Sequence, residues 1–280
     1  MSYRGFYINM KKSVERDMQT KNQLQKLGLK DSYTRFEGIN GLDVFQNYQS
    51  TLDAGSLGCG LSHVKIVEDN LDSNEHLHII EDDIILHPSM SKVFESVAGK
   101  IEWDLIYTDL YFSLLSPVNF YKINEKIKLF KEKNQVSLMS LKGIPFSSAT
   151  SYFINKSSIK KVSSLIGKEW IKNNEKRPMH INRLTQQGKL KAFVFLPFVT
   201  TISAHNINST INESYNSNLL AMDMLRKALF IGADINTLAK EAKSHSAEVD
   251  DNPLIRIYTE TTKMILDNMD KNLYVKKVKN

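Results

Sequence analysis

The chain has 280 residues, 41% hydrophobic and 24% charged, an ordinary globular usage that excludes a disordered or fibrous protein and leaves room for one large domain or two. Its one cysteine, Cys59, excludes an intramolecular disulfide, argues against a cysteine-built metal site and points to a reducing cytosol. The formal charge of +6 suits phosphorylated substrates or anionic lipid head groups; with no zinc-finger spacing, RNA-binding aromatic signature or basic heptad, nucleic acid is the weakest candidate partner.

Tyr3–Asn9, aromatic and β-prone, reads as a first strand, with Lys11, Lys12 and Arg16 just beyond it. Ser13 is placed to cap a helix with Val14, Met18, Leu24 and Leu27 on one face, stopped at Gly28. Tyr33–Phe36 follows as a second strand and Gly38-Ile39-Asn40-Gly41 as a turn. Strand, helix, strand at this spacing predicts a βαβ unit and a parallel sheet. In Gly55-Ser56-Leu57-Gly58-Cys59-Gly60-Leu61-Ser62-His63, three glycines lead into a helix with Leu61, Val64, Val67 and Leu71 on one face. Such a run lets backbone N–H groups approach an anion, although the spacing is neither the dinucleotide nor the P-loop pattern. Cys59 reads as a small buried apolar residue, and His63 as a packed or capping histidine before a ligand.

Leu77-His78-Ile79-Ile80 is a short apolar run suited to a strand buried on both faces, and it leads directly into Glu81-Asp82-Asp83. Ligands of open α/β sheets gather at the carboxyl ends of strands. If the backbone stays extended, Glu81 and Asp83 point one way and Asp82 the other. Three carboxylates beside apolar residues repel one another and lose hydration unless a cation neutralises them, and oxygen ligands suit Mg²⁺ or Mn²⁺. The plain alternative is an acidic turn facing water.

Pro88 opens a helical segment to Ala98, and Trp103–Asp109 resembles another central strand with an acid at its end. Residues 113–135, polar and lysine-rich without a clear period, read as an exposed excursion or lid. Val136–Leu141 and Phe193–Val199 suit strands, and Ser157–Ile166 a short helix. From Glu213 the character turns helical, over Leu219–Phe230, Leu238–Lys243 and Leu254–Met269, which divides the chain into a domain over 1–212 and a helical extension over 213–280. The basic tail Lys271–Asn280 suits either a solvated terminus or contact with an anionic membrane surface. No run reaches the roughly 18 apolar residues of a membrane span, and the first residues have too short an apolar run for a signal peptide. The expected location is the cytoplasm, with peripheral contact to the inner membrane open.

Phe6-Tyr7-Ile8-Asn9-Met10 with Arg16, the Gly38–Gly41 turn, and above all Gly58-Cys59-Gly60-Leu61-Ser62-His63 followed by Ile79-Ile80-Glu81-Asp82-Asp83 resemble the family 25 glycosyltransferases. The resemblance covers roughly residues 3 to 212. It implies an α/β, GT-A-like fold: a Rossmann-type mixed sheet flanked by helices, here with a helical C-terminal extension. It also implies a nucleotide-sugar donor and Mn²⁺ (or Mg²⁺) at a DxD-like motif, occupied here by Glu81-Asp82-Asp83. On that resemblance Asp83 is the first metal ligand, with Glu81 and Asp82 holding the ion or the donor's ribose. Asn9, Arg16, Ser62 and His63 would surround the donor, and Ser148 and Thr150 would border the sugar or acceptor. Where the family has a proline closely followed by an aspartate, this chain has Pro178-Met179-His180-Ile181-Asn182. Asp109, His180 and His205 are the candidates for proton transfer or a late metal ligand. The implied reaction moves a hexose, galactose favoured, from a UDP-sugar to a bacterial surface glycan or glycolipid such as lipooligosaccharide, with inversion. The rival readings are a catalytically inactive homologue that binds glycan or scaffolds an assembly, and another Mg²⁺-dependent nucleotide enzyme.

Overall fold

The computed structural model describes residues 2–48, 50–113, 116–203, 217–234, 236–238 and 262. The opening unit forms as its pattern predicts. Strand β1 (Tyr3–Asn9), helix α1 (Val14–Lys26) and strand β2 (Tyr33–Glu37) make a parallel pair with Phe6 opposite Thr34. Of the apolar face predicted for α1, Leu24 is buried while Val14 and Met18 stay exposed. Ser13 holds the cap position without a side-chain bond, and its carbonyl accepts instead from the Asn9 amide.

After α2 (Gly41–Val44), helix α3 runs over Ala54–Glu68 and begins earlier than the glycine run suggests. Asp53 caps it, its carboxylate accepting from the Ser56 N–H at 2.7 Å. Gly58 and Gly60 therefore lie inside the helix, where they permit close packing rather than anion approach. A Cβ on Gly58 would stand 2.4 Å from the Ile39 carbonyl oxygen and 2.6 Å from the Gly41 nitrogen. Backbone faces backbone there, and neither can swing aside. Gly58→Ala is expected to lower stability by about 1–3 kcal/mol, read as a fall in the urea midpoint; an unchanged midpoint would refute the close approach.

Strand β3 (His76–Glu81) precedes β4 (Ile84–Leu86), α4 (Met90–Ala98), β5 (Leu105–Tyr107) and β6 (Tyr111–Phe112). The excursion expected at 113–135 is a helix over its greater part, α5 (Pro117–Lys133). Ser116 caps it, Pro117 opens it, Asn134 closes it in the left-handed conformation at φ 52°, and Ile123 and Ile127 are buried. The contact continues at the half-buried Phe130, while Tyr121, Lys122, Glu125 and Lys128 are exposed. Then come β7 (Ser137–Ser140), β8 (Phe146–Ser147), β9 (Ser151–Ile154), α6 (Ile159–Ile166), α7 (Glu169–Lys172) and α8 (Arg177–Gln186). The strand expected at Phe193–Val199 is β10 (Ala192–Leu196), which stops before a cis Leu196–Pro197 peptide; β11 (Thr200–Ile202) and α9 (Ser217–Ala228) follow.

The fold is α/β. Seven strands form one mixed sheet in the order β2-β1-β3-β9-β5-β10-β7. Strands β1, β2 and β3 are mutually parallel, β10 is parallel to β5, and β9 runs antiparallel between β3 and β5. Successive residues of β3 alternate between two apolar layers, Leu77 and Ile79 in one and Ile80 in the other, which is why every residue from His76 to Ile80 is buried. Two consequences position the site. The carboxyl ends of β1, β3 and β5 reach the same edge of the sheet, and the antiparallel β9 brings its amino end, preceded by Thr150, to that edge as well. Of the segment predicted as a helical extension, α9 is described; it packs against β11 and β6 and buries Leu225 and Ala228 in the main core, with Leu229 just past its end.

Candidate active site

At that edge lies a cavity of about 580 Å³ between the end of β1, the 38–41 turn, the first turn of α3 and Glu81-Asp82-Asp83. The β3 backbone is extended only as far as Glu81; Asp82 and Asp83 turn the chain into β4. The alternation expected for an extended triplet is thereby lost, and all three acids line the one cavity.

Each acid has a different environment. Asp82 is anchored on both oxygens, Oδ2 accepting from Asn9 Nδ2 at 2.6 Å and Oδ1 from Arg16 Nη1 at 3.2 Å. Asn9 is itself oriented by Arg35, whose Nε and Nη2 donate to Asn9 Oδ1 at 3.0 and 2.8 Å. Asp83 is 7% exposed; its Oδ2 stands 3.7 Å from Arg16 Nη1, while Oδ1 is buried with no hydrogen-bond partner among the described residues. Burial, reinforced by the Glu81 charge, pushes the Asp83 carboxyl up to about 7 against the partial relief from Arg16. Glu81 Oε1 accepts a long contact from Cys59 Sγ at 3.5 Å and lies 3.6 Å from His63 Nε2; burial raises its carboxyl too. A buried carboxylate oxygen without a donor, beside two more carboxylates, is a set of hard oxygen ligands short of positive charge.

Ser62 lines the cavity by holding its wall: Oγ accepts from the Ile39 N–H at 2.8 Å and donates to the Gly58 carbonyl at 2.7 Å, fixing the 38–41 turn to α3. His63 lies one layer deeper, wholly buried, with Nδ1 3.0 Å from the Tyr152 hydroxyl. Burial, then the Arg177 cation, hold its pKa well below the ordinary histidine value, so the ring is neutral.

Four of the expected residues, Asp109, His180, Ser148 and Thr150, do not line the cavity. Asp109 is wholly buried and held by Arg226 of α9, whose Nε and Nη2 both bind Asp109 Oδ2, at 2.9 and 2.5 Å. Paired in this way, Asp109 faces Arg226 and Thr150 and does not line the cavity. His180 uses both ring nitrogens, Nε2 toward the Leu165 carbonyl at 3.1 Å and Nδ1 toward Arg183 Nη2 at 2.7 Å, and thus ties α8 to α6 rather than facing the cavity. Ser148 and Thr150 belong to the Asp109 network: Thr150 Oγ1 donates to Asp109 Oδ1 at 3.0 Å, lies 3.2 Å from Ser148 Oγ and accepts from Arg226. They do not line the cavity, but the Thr150 carbonyl accepts the Glu81 N–H at 2.8 Å and so couples that network to the acidic turn. His205 lies outside the described residues.

Sequence reasoning missed Arg226. It sits in Leu219–Phe230, read only as a helical segment, and it lies there among buried neighbours: Asp223, Met224, Leu225 and Arg226 are all buried. Arg35 was also missed, because its role depends on which strand Asn9 ends beside.

No helix among the described residues is long and apolar enough to cross a membrane. No curated protein gives a significant match to the chain. A family profile, Glycosyltransferase family 25 (LPS biosynthesis protein), matches residues 3–183. That segment runs from β1 to the body of α8 and contains the acidic turn, Asn9, Arg16, Ser62 and His63, with Arg226 beyond it. This chain belongs to glycosyltransferase family 25.

Proposed function

We propose that the chain transfers a hexose, with galactose favoured by the family resemblance, from a UDP-sugar to a bacterial surface glycan such as lipooligosaccharide, with Mn²⁺ or Mg²⁺ held by Asp83 and Glu81. The observation that carries this reading is the partnerless, buried Asp83 Oδ1 beside Glu81 at the wall of the cavity. A divalent ion there would supply the missing positive charge and neutralise a leaving diphosphate. The chain's own residues suit the remaining tasks. Lys12 and Arg16 line the same cavity and favour an anionic donor electrostatically. Asn9, fixed by Arg35, holds Asp82 in one orientation, and Ser62 keeps the turn over the donor from opening.

An inverting displacement also needs a base, and Asp109 and His180 are both engaged elsewhere. His205, outside the described residues, is the remaining proposed base or late ligand. The acceptor would be a glycan or glycolipid, with contact to an anionic membrane surface supplied by the basic tail, which lies outside the described residues.

The test is UDP release from a panel of UDP-sugars with and without Mn²⁺. Metal-dependent turnover of one donor is the expected result. No turnover, together with no metal-dependent UDP binding by calorimetry, would remove the enzyme reading in favour of an inactive glycan-binding homologue.

A further inference from the structure

Behind the acidic turn, Cys59 and His63 lie one helical turn apart on α3 and face the end of β3. The three potential ligand atoms of Cys59, His63 and Glu81 all lie within 4.8 Å of one another. Two edges of that triangle are resolved: Cys59 Sγ to Glu81 Oε1 is 3.5 Å, and His63 Nε2 to Glu81 Oε1 is 3.6 Å. Zinc bonds of roughly 2.3 Å to sulfur and 2.0–2.2 Å to nitrogen or oxygen, set at tetrahedral angles, place such ligand pairs about 3.4–3.6 Å apart. The side chains already stand at that spacing.

A second observation is independent of this spacing. His63 is wholly buried, and its Nε2, the atom turned toward Glu81, has no hydrogen-bond partner among the described residues. A buried ring nitrogen left unpaired loses its hydration with nothing in exchange. On the other side of the ring Nδ1 meets the Tyr152 hydroxyl at 3.0 Å, which in turn accepts from Arg177 Nη2 at 2.7 Å. With Nδ1–H donating to Tyr152, the Nε2 lone pair is free to bind; an oriented imidazole of this kind is what metal-ligating histidines have behind them.

We propose that Cys59 Sγ, His63 Nε2 and a Glu81 carboxylate oxygen form a Zn²⁺ site, with a fourth position open to the neighbouring cavity. Thiolate and imidazole select a softer ion than the oxygen-only turn beside them, so the two sites differ in the metal they take. Cys59 and Glu81 both line the cavity, which gives the ion an entry path. On the proposed glycosyltransferase reading, Glu81 serves both places. Zinc in the inner site draws Glu81 away from the Mn²⁺ or Mg²⁺ site, and micromolar zinc becomes an inhibitor of transfer that added Mn²⁺ does not fully relieve.

The experiment reads binding and does not depend on turnover. Co²⁺ titrated into the metal-free protein is expected to give one equivalent of a complex with a near-ultraviolet thiolate-to-cobalt charge-transfer band, displaced by Zn²⁺. Cys59→Ser, checked for folding by circular dichroism, should lose the band and bind zinc at least about 100-fold more weakly. Asp83→Asn should retain the band while losing Mn²⁺-dependent UDP binding, which separates this site from the outer one. Because Cys59 is the only cysteine of the chain, alkylation of the wild type gives a second measurement that needs no variant. Zn²⁺ should slow Cys59 labelling strongly and Mn²⁺ at the same concentration should not. A cobalt complex without the charge-transfer band, zinc affinity unchanged in Cys59→Ser, or equal labelling rates with and without zinc would each overturn the assignment.

Discussion

Asp83→Asn is expected to abolish transfer, by about 1,000-fold, and at the same time to stabilise the metal-free protein at alkaline pH. The two effects have one origin. Burial and the Glu81 charge push the Asp83 carboxyl up to about 7, against roughly 3.9 in an unfolded chain. A carboxyl raised on folding prefers its proton in the folded state. Its contribution to stability is therefore fully present below about pH 4 and is lost as the pH rises through about 7. For a group this buried, the loss in metal-free wild type is on the order of 2–4 kcal/mol at pH 8, shared with Glu81 because the two carboxylates titrate together. Asparagine keeps the shape and removes the charge. In EDTA-treated samples the Asp83→Asn variant should melt well above wild type at pH 8 and nearly level with it at pH 4. Adding Mn²⁺ should raise the wild type and leave the variant unmoved. A melting difference that is equal at both pH values would show that the Asp83 charge is not the source.

Arg226→Met is expected to be the most destabilising single change at the site, by about 3–5 kcal/mol. Arg226 and Asp109 are both wholly buried, and removing the guanidinium leaves a carboxylate in the interior with Thr150 as its remaining described donor. Against a total stability of about 5–15 kcal/mol, such a loss brings the protein close to unfolding at physiological temperature. The double variant Arg226→Met with Asp109→Asn should recover most of it, since no charge is then stranded. Urea midpoints of the two single variants and the double give the coupling directly. If the double is as unstable as the Arg226 single, the pair is not what holds α9 in place. The Arg226 charge also counteracts the raised carboxyls of Glu81 and Asp83, so the loss extends from the fold to the acidic turn.

Much of this arrangement was readable in the chain. The strand–helix–strand opening follows from the order of its segments and the stop at Gly28, and β3 from its apolar run, because those signals are local. The acidic turn announced itself for the same reason: three carboxylates between apolar neighbours. What was not readable depends on partners distant in sequence. The direction of β9 beside β3 has no local signature, yet it is what brings Thr150 to Glu81. Gly58 and Gly60 looked like the mouth of a helix because glycine suits both loops and close packing; Asp53, three residues before Ser56, was the stronger start signal. Helix α5 hid its pattern in a narrow stripe of Ile123 and Ile127 among lysines. Asp109 looked catalytic because a strand-end acid in an α/β sheet commonly is, and Arg226, which occupies it, enters from another part of the chain. His180 looked like a replacement for an acid because its neighbours in space, Arg183 and the Leu165 carbonyl, could not be inferred from its neighbours in sequence.

Arg226 follows Asp109 by 117 positions. A ribosome adds roughly 5–20 residues per second, so on a nascent chain Asp109 waits on the order of ten seconds for its counter-ion. Through that interval the strands that end at Asn9 and Glu81, and Asp109 just past β5, stand without the helix that bears Arg226. Co-translational folding of this sheet is thus held short of completion until α9 has left the exit tunnel. A product that ends between Asp109 and Arg226 carries the acidic turn but leaves the Asp109 carboxylate without the guanidinium that neutralises it.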